Sequence, residues 1–221
     1  MTPDEQQQVR MLNDKLENEI SIRLIGNAHE ASNAMAAFCE ELATLASGIR
    51  LIREKDDERQ APVIEVTESI AYSGVPTGTE LAPFMELLST VGRTDTASLS
   101  AITAPAILTL YVSSMCPHCP AMVRQVYPLC LENRNLKLSI IDGPAFPELA
   151  EADNIKSLPT LILDNDFRWT ALVDVDELVQ IIGSRNPAEL GVASLKGMIQ
   201  DGNAYDLSEM MVSEKKIFPA F

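Results

Sequence analysis

Basic residues are scarce in this 221-residue chain: 17 Lys and Arg stand against 32 Asp and Glu, a formal net charge of −15. The deficit is even, with 8 basic and 17 acidic groups in residues 1–97 and 9 and 15 in residues 98–221. Such a surface speaks against nucleic acid or an anionic membrane as partner. Long apolar runs are also missing, and none approaches the ~18 residues of a membrane-spanning helix. The opening Met1-Thr2-Pro3-Asp4-Glu5-Gln6 has neither a basic nor an apolar region, so no secretory signal is expected there. Cysteine is sparse as well, and four in this length are too few for a disulfide scaffold. Together these absences point to a cytoplasmic setting without membrane or nucleic-acid partners.

Two of the four cysteines form the one paired motif, Cys116-Pro117-His118-Cys119, followed by Pro120. It comes directly after the β-branched and apolar run Ala106–Val112, so the pair falls where a strand turns into a helix. A cysteine at a helix N-terminus meets free backbone N–H groups and the positive end of the macrodipole, which favour its thiolate. A second cysteine one turn on can close a disulfide with it. This spacing makes reversible thiol–disulfide exchange the leading chemistry, with Cys116 as nucleophile, Cys119 as resolving thiol and His118 placed to stabilise the thiolate. A Cys-x-x-Cys pair can also be half of a metal site. The other candidates, Cys39, Cys130, His29 and His118, supply no second pair, so no metal is expected. Cys39 and Cys130 read as buried fillers, His29 as a cap or surface residue, and Trp169 as core.

Along the chain, a polar helix at 4–19 precedes a strand at 20–26, a helix at about 30–46 and a strand at 49–53. Two short strands at 62–66 and 70–72 follow, then a turn at 74–78 and a helix at 80–91 with Thr79 as its cap. The Thr-, Ser- and Ala-rich stretch 92–105 reads as a linker. The pattern then recurs: strand 106–112, helix to about 131, strand 136–141, short helix 146–152, strands 158–163 and 169–173. A final helix reaches about 182, capped by Asp174 or Asp176. A shift of 86 residues lays Glu30-Ala31-Ser32-Asn33 opposite the cysteine motif, so the first repeat carries no redox pair. The expected domains are 1–97, 98–185 and a helical extension at 186–221, with helices from Pro187 to Gln200 and from Leu207 to Ile217.

The strand–CxxC–helix order and the Leu158-Pro159-Thr160 step into a later strand resemble the thioredoxin and glutaredoxin fold. An unarmed repeat before an armed one is similar to the N-terminal domain of alkyl hydroperoxide reductase flavoproteins and to tandem protein disulfide oxidoreductases. The segment Tyr72–Glu80 resembles the turn and helix of those first units, with Pro62 at their proline position. The resemblance implies two tandem thioredoxin-like units, each a mixed sheet flanked by helices, with a short helical C-terminal extension. It also implies that Pro159 is cis and, with Leu158, borders bound substrate. Protein disulfides and a disulfide reductase would be the partners, and the Cys116–Cys119 couple would serve without a further cofactor. Oligomeric state is left open. No Gly-x-Gly-x-x-Gly motif is present for flavin or nicotinamide. Leu110 stands where thioredoxins carry a buried Asp, so another acceptor or water must take the Cys119 proton. Pro-His between the cysteines also occurs in strongly oxidising enzymes and implies a potential of roughly −200 to −120 mV. The competing function is a redox sensor or interaction scaffold on the same fold.

Overall fold

The computed structural model describes residues 1–13, 16–91, 102–170 and 172–186. Residues Met1–Val173 form one compact unit, and the chain from Asp174 forms a second. In the first unit, helix α1 (Pro3–Asn13) leads into β1 (Ile20–Gly26), α2 (Ala31–Leu45), β2 (Ile49–Lys55), β3 (Val63–Thr67) and β4 (Ile70–Ser73). A 3-10 turn at Gly78–Glu80 opens α3 (Leu81–Val91). The order then repeats with β5 (Ala106–Val112), α4 (Cys119–Glu132), β6 (Leu136–Asp142), α5 (Pro147–Ala152), β7 (Thr160–Leu163) and β8 (Phe167–Thr170). In the second unit, Asp174 caps α6 (Val175–Ser184) by accepting the Glu177 N–H at 3.0 Å.

All eight strands join one mixed sheet in the order β2-β1-β3-β4-β6-β5-β7-β8. Each half is wired alike: β1 runs parallel to β2 and antiparallel to β3, as β5 runs parallel to β6 and antiparallel to β7. The seam is β4 against β6 in parallel, from Ile70 with Leu138 to Ser73 with Ile141. Strands β1, β4, β5 and β6 therefore end at the same sheet edge, which gathers their following loops there. The alternating burial of β5 and β6 follows from their placement inside the sheet, with Leu108, Leu110, Leu136 and Ile140 wholly buried. Burying each such side chain contributes about 1.5–3 kcal/mol. This is the expected α/β architecture of two thioredoxin-like repeats.

Several boundaries differ from expectation. Helix α1 spans Pro3–Asn13, and Leu16, expected on its apolar face, is not helical. The last strand is Phe167–Thr170 instead of 169–173, because the Asp164-Asn165 turn takes positive φ at both residues and reverses the chain early. Thr79 lies inside the 3-10 turn and makes no cap for α3. The linker expected at 92–105 lies mostly outside the described residues, as do the helices expected beyond Pro187.

Candidate functional site

Cys116 precedes a proline, which disfavours helical backbone at that residue. Helix α4 accordingly begins at Cys119 rather than Cys116, with Pro120 in its first turn, where a missing N–H costs nothing. Cys116 thus sits in the turn before the helix, its N–H donating to Ser113 O at 3.0 Å. Cys116 and Cys119 are joined as a disulfide with Cα atoms 5.5 Å apart. The Cys119 N–H, first of the helix, donates to Cys116 Sγ at 3.1 Å. On reduction this donor and the helix end favour a thiolate at Cys116. Cys116 is partly exposed, whereas Cys119 is wholly buried. One sulfur can meet a partner molecule and the other can reach only its neighbour. Pro117 and His118 are exposed, and the His118 side chain does not cap the helix.

The peptide bond between Leu158 and Pro159 is cis, at the head of β7. Because Thr160 pairs with Tyr111, Pro159 stands at the end of β5 from which the cysteine turn departs. Leu158 is partly exposed and Pro159 buried. Among the described residues no other peptide bond is cis, so Pro62 in the first repeat is trans.

Sequence reading missed what the first repeat contributes. Gly78 and Thr79, after β4, press against the turn that carries Cys116. The Thr79 N–H donates to Ser114 O at 3.0 Å, and its hydroxyl lies 3.1 Å from both Ser114 O and Cys116 O. Gly78 takes φ +58, and a Cβ there would stand 2.6 Å from Ser114 O. Only glycine tolerates both conditions. The Gly78 N–H in turn donates to Glu5 of α1 at 2.8 Å.

The next residue, Glu80, is buried, and neither of its carboxyl oxygens has a hydrogen-bond partner among the described residues. Burial, with the Asp142 charge adding to it and Arg124 opposing it, pushes its pKa up to about 7. The Tyr72 hydroxyl is likewise buried and unpartnered, and burial first, then Glu80, raise its pKa well above the usual range. Asp142 at the end of β6 is also raised by burial, against the Ala145 N–H that its Oδ1 accepts at 3.2 Å. Leu110, at the position of the acid in thioredoxins, is fully buried and apolar. A signal for Glu80 existed: it shares the spacing of Phe84, Leu87 and Leu88 and so falls on the apolar stripe of its helix.

None of the other singled-out residues is hydrogen-bonded to the disulfide among the described residues. His29, in the loop after β1, accepts the Ala31 N–H at Nδ1 (3.1 Å) and packs at a tilt against Phe146 with centroids 4.9 Å apart. Cys39 and Cys130 are buried free thiols, both pushed up to about 12 by burial and hence poor nucleophiles at neutral pH. Trp169 is buried and stacks on Phe167. Among the described residues no three His, Cys, Asp or Glu side chains form a metal-holding group, and no helix is long and apolar enough to cross a membrane.

Residues 108–183 match the family model of a thioredoxin domain. The chain is 25% identical over 185 residues to an NADH dehydrogenase of Bacillus subtilis (strain 168), covering 78% of this chain and 36% of that protein. It is 25% identical over 200 residues to an alkyl hydroperoxide reductase of Staphylococcus epidermidis, covering 85% of this chain and 39% of that protein. It thus spans well under half the length of these curated relatives. In fold it is similar to the N-terminal domain of the alkylhydroperoxide reductase of Enterococcus faecalis, with a TM-score of 0.70 at 20% identity over 82% of this chain and 99% of that one. It is also similar to a protein disulfide oxidoreductase from Aeropyrum pernix, with a TM-score of 0.72 at 12% identity over 83% and 93% of the two chains. The tandem thioredoxin-like resemblance read from the cysteine motif therefore stands, and the Cys116–Cys119 pair on this fold supports thiol–disulfide oxidoreductase chemistry in general.

Proposed function

We propose that the chain exchanges electrons with protein disulfides through the Cys116/Cys119 couple and is recharged by a disulfide reductase, in the cytoplasm. The observation that carries this reading is the pairing of a partly exposed Cys116 with a wholly buried Cys119 at the start of α4. In the reduced state the Cys116 thiolate attacks a substrate sulfur. A mixed disulfide forms, and the substrate's other sulfur leaves as a thiolate. Cys119 then loses its proton and attacks Cys116 Sγ, releasing the second substrate thiolate and closing Cys116–Cys119. Two electrons pass from the dithiol to the substrate disulfide. Leu158 and cis-Pro159 offer an extended substrate segment a place to lie beside the sulfur. His118 is a further positive charge near Cys116 when protonated.

With Leu110 apolar, we assign Glu80 as acceptor of the Cys119 proton. Its support is a pKa of about 7, near neutrality, and its place next to Thr79, which holds the Cys116 carbonyl. The first repeat, residues 1–97, then supplies the acid, and the second, 98–185, supplies the thiols.

Turnover of insulin disulfides with dithiothreitol as donor tests the function. The chain is expected to catalyse the reaction, and Cys116→Ser to abolish it. Equilibration with glutathione followed by thiol trapping is expected to place the couple at roughly −200 to −120 mV, above thioredoxin's. A chain with free thiols and no insulin turnover would favour the sensor or scaffold.

A further inference from the structure

At the seam of the sheet, residues from both repeats enclose a small cavity lined by Tyr72, Gly74, Pro76, Glu80, Val112 and Asp142. Its water-sized space is about 10 Å3, on the scale that one water molecule occupies. Two of its lining residues carry buried polar atoms with no partner among the described residues: both Glu80 carboxyl oxygens and the Tyr72 hydroxyl. Leaving such groups unsatisfied is costly, most of all for a charged carboxylate, so the site suits a hydrogen-bonding guest. Gly74 closes one wall at φ +140, where an added Cβ would stand 2.7 Å from the Asp142 Cβ. The close approach of this loop to Asp142 therefore depends on a glycine. Asp142 is partly exposed, and Val112 ends the strand that leads to the cysteine turn.

We propose that this cavity holds one ordered water that carries a proton between Glu80 and Asp142, and so between the buried side of the disulfide and solvent. The proposal rests on the assignment of Glu80 as the proton acceptor and adds the path by which that proton comes and goes. When a thiol reductant opens the disulfide, its thiolate bonds to Cys116 Sγ and the sulfur–sulfur bond breaks. Cys119 leaves as a thiolate and takes the proton of the Glu80 carboxylic acid. The water then protonates Glu80 and is itself reprotonated through Asp142 from solvent. In the opposite direction each proton retraces the path. The Tyr72 hydroxyl anchors the water. The charged and titratable groups facing Glu80 are Tyr72 of β4, Asp142 of β6 and Arg124 of α4, with Tyr127 of α4 facing Tyr72. Arg124 is itself held by Glu86, at 2.6 and 2.8 Å.

The experiment is the rate of dithiothreitol reduction of the full chain against pH, corrected for dithiothreitol ionisation, in H2O and D2O. It is run on wild type, Glu80→Gln, Asp142→Asn and Tyr72→Phe, with circular dichroism as the check on folding. Wild type is expected to lose rate through a break near the Glu80 pKa of about 7. Asp142→Asn removes a like charge and is expected to move that break down by about one unit and to slow the acid limb several-fold with a changed solvent isotope effect. Tyr72→Phe keeps the break in place, slows the rate several-fold and changes the isotope effect. Without a relay the lost charge of Asp142→Asn would still move the break, but the rate and isotope effect of both variants would stay as in wild type. Wild-type rate and isotope effect in both Asp142→Asn and Tyr72→Phe would overturn the relay while leaving Glu80 in its role, provided Glu80→Gln abolishes the break. A break that survives in Glu80→Gln would overturn the Glu80 assignment and the relay with it. Should Asp142→Asn fail to fold, Tyr72→Phe alone decides between relay and no relay.

Discussion

Glu80 keeps a carboxyl group out of bulk solvent, and its titration is therefore written into the stability of the fold. Its folded pKa of about 7 lies above the ordinary value of 4.5. The folded chain holds this proton over a pH range in which the unfolded chain has released it. The resulting destabilisation is absent below the unfolded value, grows as pH rises toward about 7 and is constant above it, at roughly 3 kcal/mol. Replacing Glu80 with Gln removes that pH dependence. Urea denaturation at about pH 5 and pH 8 should show the variant gaining roughly 2–3 kcal/mol over wild type across that interval. An unchanged difference would place the carboxyl in water. At this scale the sequence was uneven as a guide. The disulfide pair was legible from its spacing and the cis bond at Pro159 from the family resemblance, and buried Cys39 and Cys130 followed from their apolar helices. Glu80 carried a signal in its spacing with Phe84, Leu87 and Leu88, but a carboxylate at a helix start reads as a solvated end until the neighbouring repeat is seen to cover it. Leu110 posed the question of the missing acid, but one strand could not say from where the answer would come.

Among the elements, the turn before α3 is where prediction and structure parted most usefully. A threonine before a helix reads as a cap, yet Thr79 turns its hydroxyl away from its own helix to the carbonyls of Ser114 and Cys116. Local sequence cannot distinguish the two, since both satisfy the same hydroxyl. Gly78→Ala should therefore act on a site 38 residues away in sequence. Positive φ costs the alanine about 1 kcal/mol, and the clash with Ser114 O forces the two loops apart, for a total of about 1–3 kcal/mol. The expected readout is a lowered melting temperature together with slower alkylation of reduced Cys116. Loss of stability with unaltered Cys116 reactivity would mean that the turn braces the fold but not the thiol. Helix α4 carries the converse lesson. Its Pro120 was a fair sign of a first turn, and Pro117 fixed the actual start by keeping Cys116 outside the helix.

For the molecule as a whole, the repeat was legible from a shift of 86 residues, and β1 and β5 do begin 86 residues apart. The strand that joins the halves was not legible. Ile70–Ser73 is four residues long, and its parallel partner β6 lies 68 residues on, past the first repeat's helix and the linker. Because that seam makes the sheet continuous, its two halves should unfold together. The single tryptophan, Trp169, reports on β8. Its fluorescence should share a urea midpoint with far-UV circular dichroism, whereas separate midpoints would show the halves melting independently. Continuity has another consequence, at the two rims of the sheet. A sheet this wide still ends in open backbone, and open backbone invites a neighbour molecule to add itself as the next strand. Among the described residues one rim is β2, where Arg50, Arg53, Glu54 and Lys55 crowd the strand with charge. The other is β8, only four residues long, with Arg168 facing outward. Charge at one rim and brevity at the other guard the chain against stacking into fibrils, so crowding it at high concentration should not extend the sheet from molecule to molecule.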